Sequence, residues 1–212
     1  MTELDHITVI APNLATGVAW VRDVLGVDPP KGGSHPEMGT HNHLLRLGDD
    51  FYLEVIATDP DARRPTHRRW FGLDDLAAVE RHWRAEHHLR GYAVRCRDVA
   101  ATIGSQAATF GAPVEVSRGD RRWTFAVRPD GELPLDGALP CLIDWGDKGT
   151  PAPAMMDFGL KLHSLAVEAP DPGAVHAALD GIGLVRKPEI CRGTAVRLSA
   201  TIATPRGVRT LC

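Results

Sequence analysis

Two side chains carry the clearest chemistry in this sequence. They are His6, in the run Leu4-Asp5-His6-Ile7-Thr8-Val9-Ile10-Ala11, and Glu54, in Phe51-Tyr52-Leu53-Glu54-Val55-Ile56. Both runs are rich in β-branched or aromatic residues, the composition of strands. Alternate side chains of a strand share a face, so His6 groups with Leu4, Thr8 and Ile10, and Glu54 with Tyr52 and Ile56. A carboxylate between an aromatic and an aliphatic neighbour on a half-buried strand needs a partner, because an unpaired buried charge is expensive. His6 would serve, and so would a metal ion. The plainer alternatives are a simple His–Glu hydrogen bond or an exposed Glu54 on an edge strand.

Other residues join this pair as candidates. His35 lies in the Gly/Pro-rich stretch Lys31-Gly32-Gly33-Ser34-His35-Pro36, expected to be a loop at the rim of a site, where a histidine could shuttle a proton. In His41-Asn42-His43 the two histidines share one face and Asn42 takes the other; His41 and Asn42 are candidate substrate contacts, against the plainer view of His41 and His43 as surface residues. Arg122 and Trp123, in Arg121-Arg122-Trp123, could orient an anionic substrate, as could the run Arg63–Arg69; solvated salt bridges are the bland alternative. Trp70-Phe71 and Trp145 could line an apolar pocket, although core packing is the ordinary role of large aromatics. The remaining histidines, His67, His82, His87, His88 and His176, lack the i, i+4 spacing of a helical metal site and are expected in solvent.

The elements that must position these groups follow one repeated pattern. The first strand is followed by Pro12 and Asn13, a helix cap, then Leu14, Val18, Val21 and Leu25 at helical spacing, and the stop Gly26. Tyr92–Cys96, Asp98, Val99, Ile103, Phe110 and Gly111 repeat it. Ser164–Glu168, Asp171-Pro172, Val175, Leu179 and the glycines 181 and 183 do so again. Each helix is followed by short strand-like segments. The expected fold is therefore α+β: repeated βαβββ modules with curved mixed sheets forming a cleft. The expected boundaries are a first module at 1–57, a helical insertion at 58–89, a second module at 90–147, a linker at 148–158 and a third βαβββ-like module at 159–212.

Composition removes several alternatives. Apolar residues make up 43% and charged residues 24% of the 212, with a net charge of −3; this is an ordinary globular balance with no general attraction to nucleic acid or anionic lipid. No apolar run approaches a bilayer span and the N-terminal residues do not resemble a signal peptide. Four dispersed cysteines suit a reducing cytoplasm. The sequence contains no G-x-S-x-G, P-loop or Gly-rich dinucleotide fingerprint.

Together, the His6 strand, Asn13 with its helix and Gly26, His35-Pro36-Glu37-Met38-Gly39-Thr40-His41-Asn42-His43-Leu44-Leu45, Tyr52-Leu53-Glu54 and Leu139–Trp145 resemble the glyoxalase-like domain, within the vicinal-oxygen-chelate superfamily. The match covers roughly residues 3–147. The resemblance implies paired βαβββ modules, often dimeric, and a divalent ion (Zn, Fe, Mn or Ni) that chelates vicinal oxygens of a small substrate in isomerase, lyase or extradiol dioxygenase chemistry. Other members carry no metal and bind or sequester a small molecule. His6 and Glu54, 48 positions apart, match ligands on the first and last strands of one module. In the second module the first-strand position falls on Gly91, seven residues before Asp98, and Asp144 is the expected substitute for the glutamate. In the third module His163 lies eight residues before its cap and reaches a site only through a bulge. A set of His6, Glu54 and His163 would suit iron, manganese or zinc.

Overall fold

The computed structural model describes residues 1–212. It is a mixed α/β structure of twelve strands and five helices. The first unit contains β1 (Glu3–Ile10), α1 (Leu14–Leu25), β2 (Lys31–His35), β3 (Thr40–Arg46) and β4 (Tyr52–Thr58). The Asn13 side chain accepts the Thr16 N–H, and Gly26 closes α1 in the left-handed region at φ 74°. Gly17 lets the helix lie close to the sheet, since a Cβ there would sit 2.6 Å from Val55 Cγ1. The segment Lys31–His35, expected as a loop, is an edge strand paired antiparallel with β3.

After α2 (Leu76–Arg84), the second unit contains β5 (Leu89–Arg95), α3 (Val99–Ile103), α4 (Ala107–Phe110), β6 (Ala112–Arg118), β7 (Arg121–Val127) and β8 (Cys141–Asp144). The single helix expected after Asp98 is broken in two at Gly104, whose φ of 51° no helix accommodates. All eight strands form one sheet in the order β2-β3-β4-β1-β5-β8-β7-β6. The units are mirror images in strand order, joined through antiparallel β1 and β5. The sheet curls until β2 and β6 lie near one another; Ser117 of β6 donates to Glu37, just beyond β2, at 2.7 Å.

The C-terminal residues form β9 (Lys161–Ala169), α5 (Pro172–Gly181), β10 (Glu189–Arg192), β11 (Arg197–Thr204) and β12 (Gly207–Leu211). The element sequence is that of the other units, but the strand order β10-β9-β11-β12 differs. In the first two units the opening strand lies at the border of its module; here it is internal, flanked by β10 and β11. One apolar cluster joins this small sheet to the outer face of the large one, through Ile7, Val9, Leu89 and Val94 against Leu165, Val167, Ala200 and Ile202. A second cluster, with Ile10, Met38, Tyr52, Ile56, Phe125 and Ile143, fills the inner, concave face.

Candidate functional site

The concave face holds a small hollow lined among others by His6, His35, Asn42, Tyr52, Glu54 and Arg118. Parallel pairing sets His6 beside Tyr52 and Thr8 beside Glu54, so the alternation rule brings His6, Tyr52 and Glu54 to one face. Antiparallel pairing of β3 with β4 adds Asn42 and Leu44. His6 and Glu54 are 2% and 6% exposed. His6 Nε2 lies 3.7 Å from Glu54 Oε2, too long for a hydrogen bond. The two rings of His6 and Tyr52 stack with centroids 4.6 Å apart.

Asp5 completes the arrangement. Neighbours on a regular strand point to opposite faces, yet Asp5 Oδ1 lies 2.7 Å from His6 Nδ1. The reason is a bulge: Leu4 pairs with Val94 and His6 with Ala93, leaving Asp5 without a partner residue in β5. Asp5 is fully buried, and its Oδ2 accepts the Trp145 indole N–H at 3.0 Å. A carboxylate can only accept, so Nδ1 of His6 carries a hydrogen, and Nε2 is the ring nitrogen left facing the hollow. Burial first, then the Asp5 and Glu54 carboxylates, hold the Tyr52 phenol well above its ordinary range. An acidic residue inside an otherwise apolar strand is the only sequence signal for Asp5, and it does not reveal the bulge.

On the opposite side of Glu54, Asn42 Nδ2 donates to Oε1 at 2.6 Å. Asn42 Oδ1 accepts the Gly33 N–H at 2.9 Å and a longer bond from Arg118 Nη1 at 3.4 Å. Asn42 and Arg118 lie across β2, and its two glycines make room for them. A Cβ on Gly32 would sit 2.2 Å from Asn42 Oδ1, and one on Gly33 2.8 Å from Arg118 Cδ. His35 is buried in the wall, with Nδ1 3.1 Å from Thr40 Oγ1 and its ring edge-on to Trp70 and Trp123. Burial first, then the Arg118 charge, push its pKa down to about 3. His35 is therefore uncharged at neutral pH and offers a hydrogen bond rather than an acid. The roof comes from the insertion and β7: Trp70 donates to Thr40 Oγ1 at 3.2 Å, and Phe71 occupies the left-handed region at φ 59°, turning its ring toward Phe125. Six of the twelve Phe, Trp and Tyr residues line this one hollow, so its walls suit a flat or apolar body.

Several expected contacts lie elsewhere. His163 is exposed on β9 of the small sheet, on the outer side of the large one, and does not line the hollow. The strand is bulged at His163, since Ser164 and Leu162 face consecutive residues Thr201 and Ile202 and leave it without a partner in β11, but the bulge does not bring its ring to the hollow. His41 turns to the face opposite Asn42 and lies 4.0 Å from Asp59. Trp123 lines the hollow, but Arg122 alternates with it and is exposed. Asp144 alternates with Ile143, which lines the hollow, and so faces away; it accepts the Gly146 N–H at 2.8 Å. Among the histidines expected in solvent, His87 and His88 are buried, and His82 Nδ1 lies 3.3 Å from His87 Nδ1.

The symmetry of the two units defines where a chelated ion would find ligands. Thr8 pairs with Glu54 in the first unit, and Ala93, its counterpart, pairs with Cys141 in the second. The four positions therefore hold His6, Glu54, Gly91 and Cys141. Gly91 contributes no ligand, and the Leu133 side chain occupies its front, 3.3 Å from where a Cβ would stand. Cys141 is buried, and burial with the nearby Glu54 charge pushes its thiol up to about 12. No three His, Cys, Asp or Glu side chains form a group able to hold an ion. This donor set does not fit the chelate that the resemblance implies.

The glyoxalase-like domain family model matches residues 4–183. The chain belongs to this family. The paired βαβββ units of its sheet are those of the vicinal-oxygen-chelate fold. A hypothetical protein from Staphylococcus aureus is similar at 13% identity, over 93% of this glyoxalase-like chain and 88% of that one, with a TM-score of 0.60. A methylmalonyl-CoA epimerase in complex with methylmalonyl-CoA and NH4+ is 21% identical, over 71% and 99%, at a TM-score of 0.43. The epimerase from Mycobacterium tuberculosis is 18% identical, over 68% and 89%, at 0.41. At these identities the first likeness is one of fold. No curated protein matches the sequence. No helix is long and apolar enough to cross a membrane.

Proposed function

We propose that the hollow is the active site of a metal-independent enzyme that transfers a proton next to a carbonyl of a small oxygen-bearing substrate, the chemistry of an isomerase or lyase. One observation carries this reading. His6 Nε2 and Glu54 Oε2, both buried and without another hydrogen-bond partner in the protein, face each other at 3.7 Å. Acceptors so placed are mutually repulsive unless a proton or a ligand's hydrogen lies between them. The surrounding bonds fix which atoms are free: Asp5 holds Nδ1 of His6, and Asn42 holds Oε1 of Glu54.

With one proton on the pair, His6 Nε2–H donates to the substrate carbonyl oxygen while Glu54 Oε2 removes the proton from the adjacent carbon. The electron pair of the broken C–H bond becomes the carbon–carbon π bond and the carbonyl π pair takes the proton from Nε2, giving an enol beside a neutral His6 and a protonated Glu54. Delivery of a proton to the neighbouring carbon, or to the opposite face of the same carbon, gives the isomerised product, and departure of a group with its electron pair from the next carbon gives elimination. Asp5 stabilises the imidazolium and fixes its ring, and the aromatic roof excludes water. His41 and Asp144 have no part in this chemistry, and His35 acts through its neutral ring.

The experiment is solvent deuterium incorporation, followed by NMR, into a panel of 2-oxo and 2-hydroxy acids and their neutral analogues. Wild-type protein should exchange the carbon-bound hydrogen, and Glu54→Gln and His6→Ala should lose about 10²–10⁴-fold of that rate. Exchange should survive exhaustive treatment with a chelator. Stoichiometric metal in the purified protein that is lost in both variants would restore the chelate mechanism. Saturable binding with no exchange on any compound would instead make the protein a binder that sequesters its ligand.

A further inference from the structure

The hollow contains one cation, and nothing in the protein neutralises it. Arg118, at the end of β6, contributes its guanidinium to the lining but forms no ion pair; its single hydrogen bond is the 3.4 Å contact to Asn42 Oδ1. The other arginines near this region are paired or, like Arg121 and Arg122 across the hairpin, lie outside the lining. Arg69 binds Asp74 at 2.7 Å, and Arg95 bridges Glu3 and Asp50. Five N–H donors on one planar group, four of them unused, form a fork that matches a carboxylate. The position is also built: Gly33 has no side chain where the arm of Arg118 crosses β2.

We infer that Arg118 anchors the carboxylate of a substrate that is a small aromatic or otherwise flat acid. Its body would lie against Trp70, Trp123 and Phe125, and its reacting oxygen would face His6 and Glu54. This assignment rests on the proton-transfer reading for the placement of the oxygen, and it deepens that reading by naming the substrate class. The route from cation to catalytic pair is short and physically continuous, because Asn42 touches both Arg118 and Glu54. The groups that would meet the carboxylate end and the reacting end of a small acid are thus bridged by one amide. Arg122, the neighbour expected from sequence to serve, is exposed on the far face of its strand.

The hollow reports its own occupancy, since Trp70, Trp123 and Trp145 line it and a bound aromatic acid changes their fluorescence. Benzoylformate is the probe, with 1-phenylpropane-1,2-dione as its uncharged counterpart. Wild-type protein should bind benzoylformate saturably and more tightly than the dione. Arg118→Gln should weaken benzoylformate by about 10- to 100-fold and leave the dione within about twofold, which shows that the variant's hollow is intact. Arg118→Lys, which keeps the charge but loses the fork, should fall between the two. Absence of saturable binding by benzoylformate, equal binding of the two probes, or unchanged affinity in Arg118→Gln overturns the assignment. Binding and proton exchange are separate readouts. Arg118-dependent binding with no exchange on any acid refutes only the proton transfer, whereas exchange that ignores Arg118→Gln refutes only the anchor.

Discussion

Acid should weaken this fold through His35, and by a predictable amount. The imidazole is buried between Trp70 and Trp123, and its pKa falls from 6.5 to about 3. The folded state therefore resists protonation while the unfolded chain accepts it. The stabilisation is complete above the unfolded value of about 6.5 and is lost as pH falls toward 3, because the unfolded state binds the extra proton throughout that window. Between pH 8 and pH 5 this linkage removes about 2 kcal/mol. The figure is robust: any folded value at or below about 4 gives nearly the same loss at pH 5, since the folded ring stays neutral there. His87, pushed down to about 4 by burial and the Arg90 charge, acts in the same direction, so the measurement must be differential. Urea unfolding, followed by tryptophan fluorescence at pH 8 and pH 5, should be compared for wild type and His35→Asn. The variant retains a polar atom toward Thr40 and should be less stable at pH 8, but its loss on acidification should be about 2 kcal/mol smaller. Equal losses in the two proteins would refute the claim that His35 is held neutral.

Three further perturbations test the site's construction. Trp145→Phe leaves the buried Asp5 Oδ2 without its indole donor and should cost about 1–3 kcal/mol, lowering Tm by roughly 2–4 °C per kcal/mol in a chain of this length. A calorimetric Tm within 1 °C (about the resolution set by that scaling) of wild type would show that Asp5 does not depend on Trp145. Gly33→Ala should change stability little, because the clash is with the flexible arm of Arg118, yet benzoylformate titration should show most of the loss seen in Arg118→Gln. Gly32→Ala places its Cβ against Asn42 Oδ1 and Leu44 and should destabilise by about 1–3 kcal/mol in urea unfolding. Equal stability of the two alanine variants would show that β2 yields more easily than the packing implies.

Much of this protein was legible in its residues. The repeated cap, helix and stop placed the opening strand and helix of each unit, and alternation alone put Tyr52 with Glu54 on one face of their strand and Asn42 opposite His41, whereas the pairing of β1 with β4 brought His6 to that face. These are local rules, and the backbone obeys them wherever its strands are regular. What the sequence left open depended on pairing between distant segments. The bulge that turns Asp5 to His6 exists only because β5 lies alongside β1 with one residue fewer in register. Cys141, rather than Asp144, is the counterpart of Glu54 because β8 aligns with β5 at Ala93. His163 is separated from the hollow because the third unit packs its sheet on the outer face of the large one, burying apolar surface that neither could cover alone. Arg118 reaches the site only when the great sheet curls enough to bring β6 to β2. Local alternation decides which way a side chain points; curvature and register decide what it meets there.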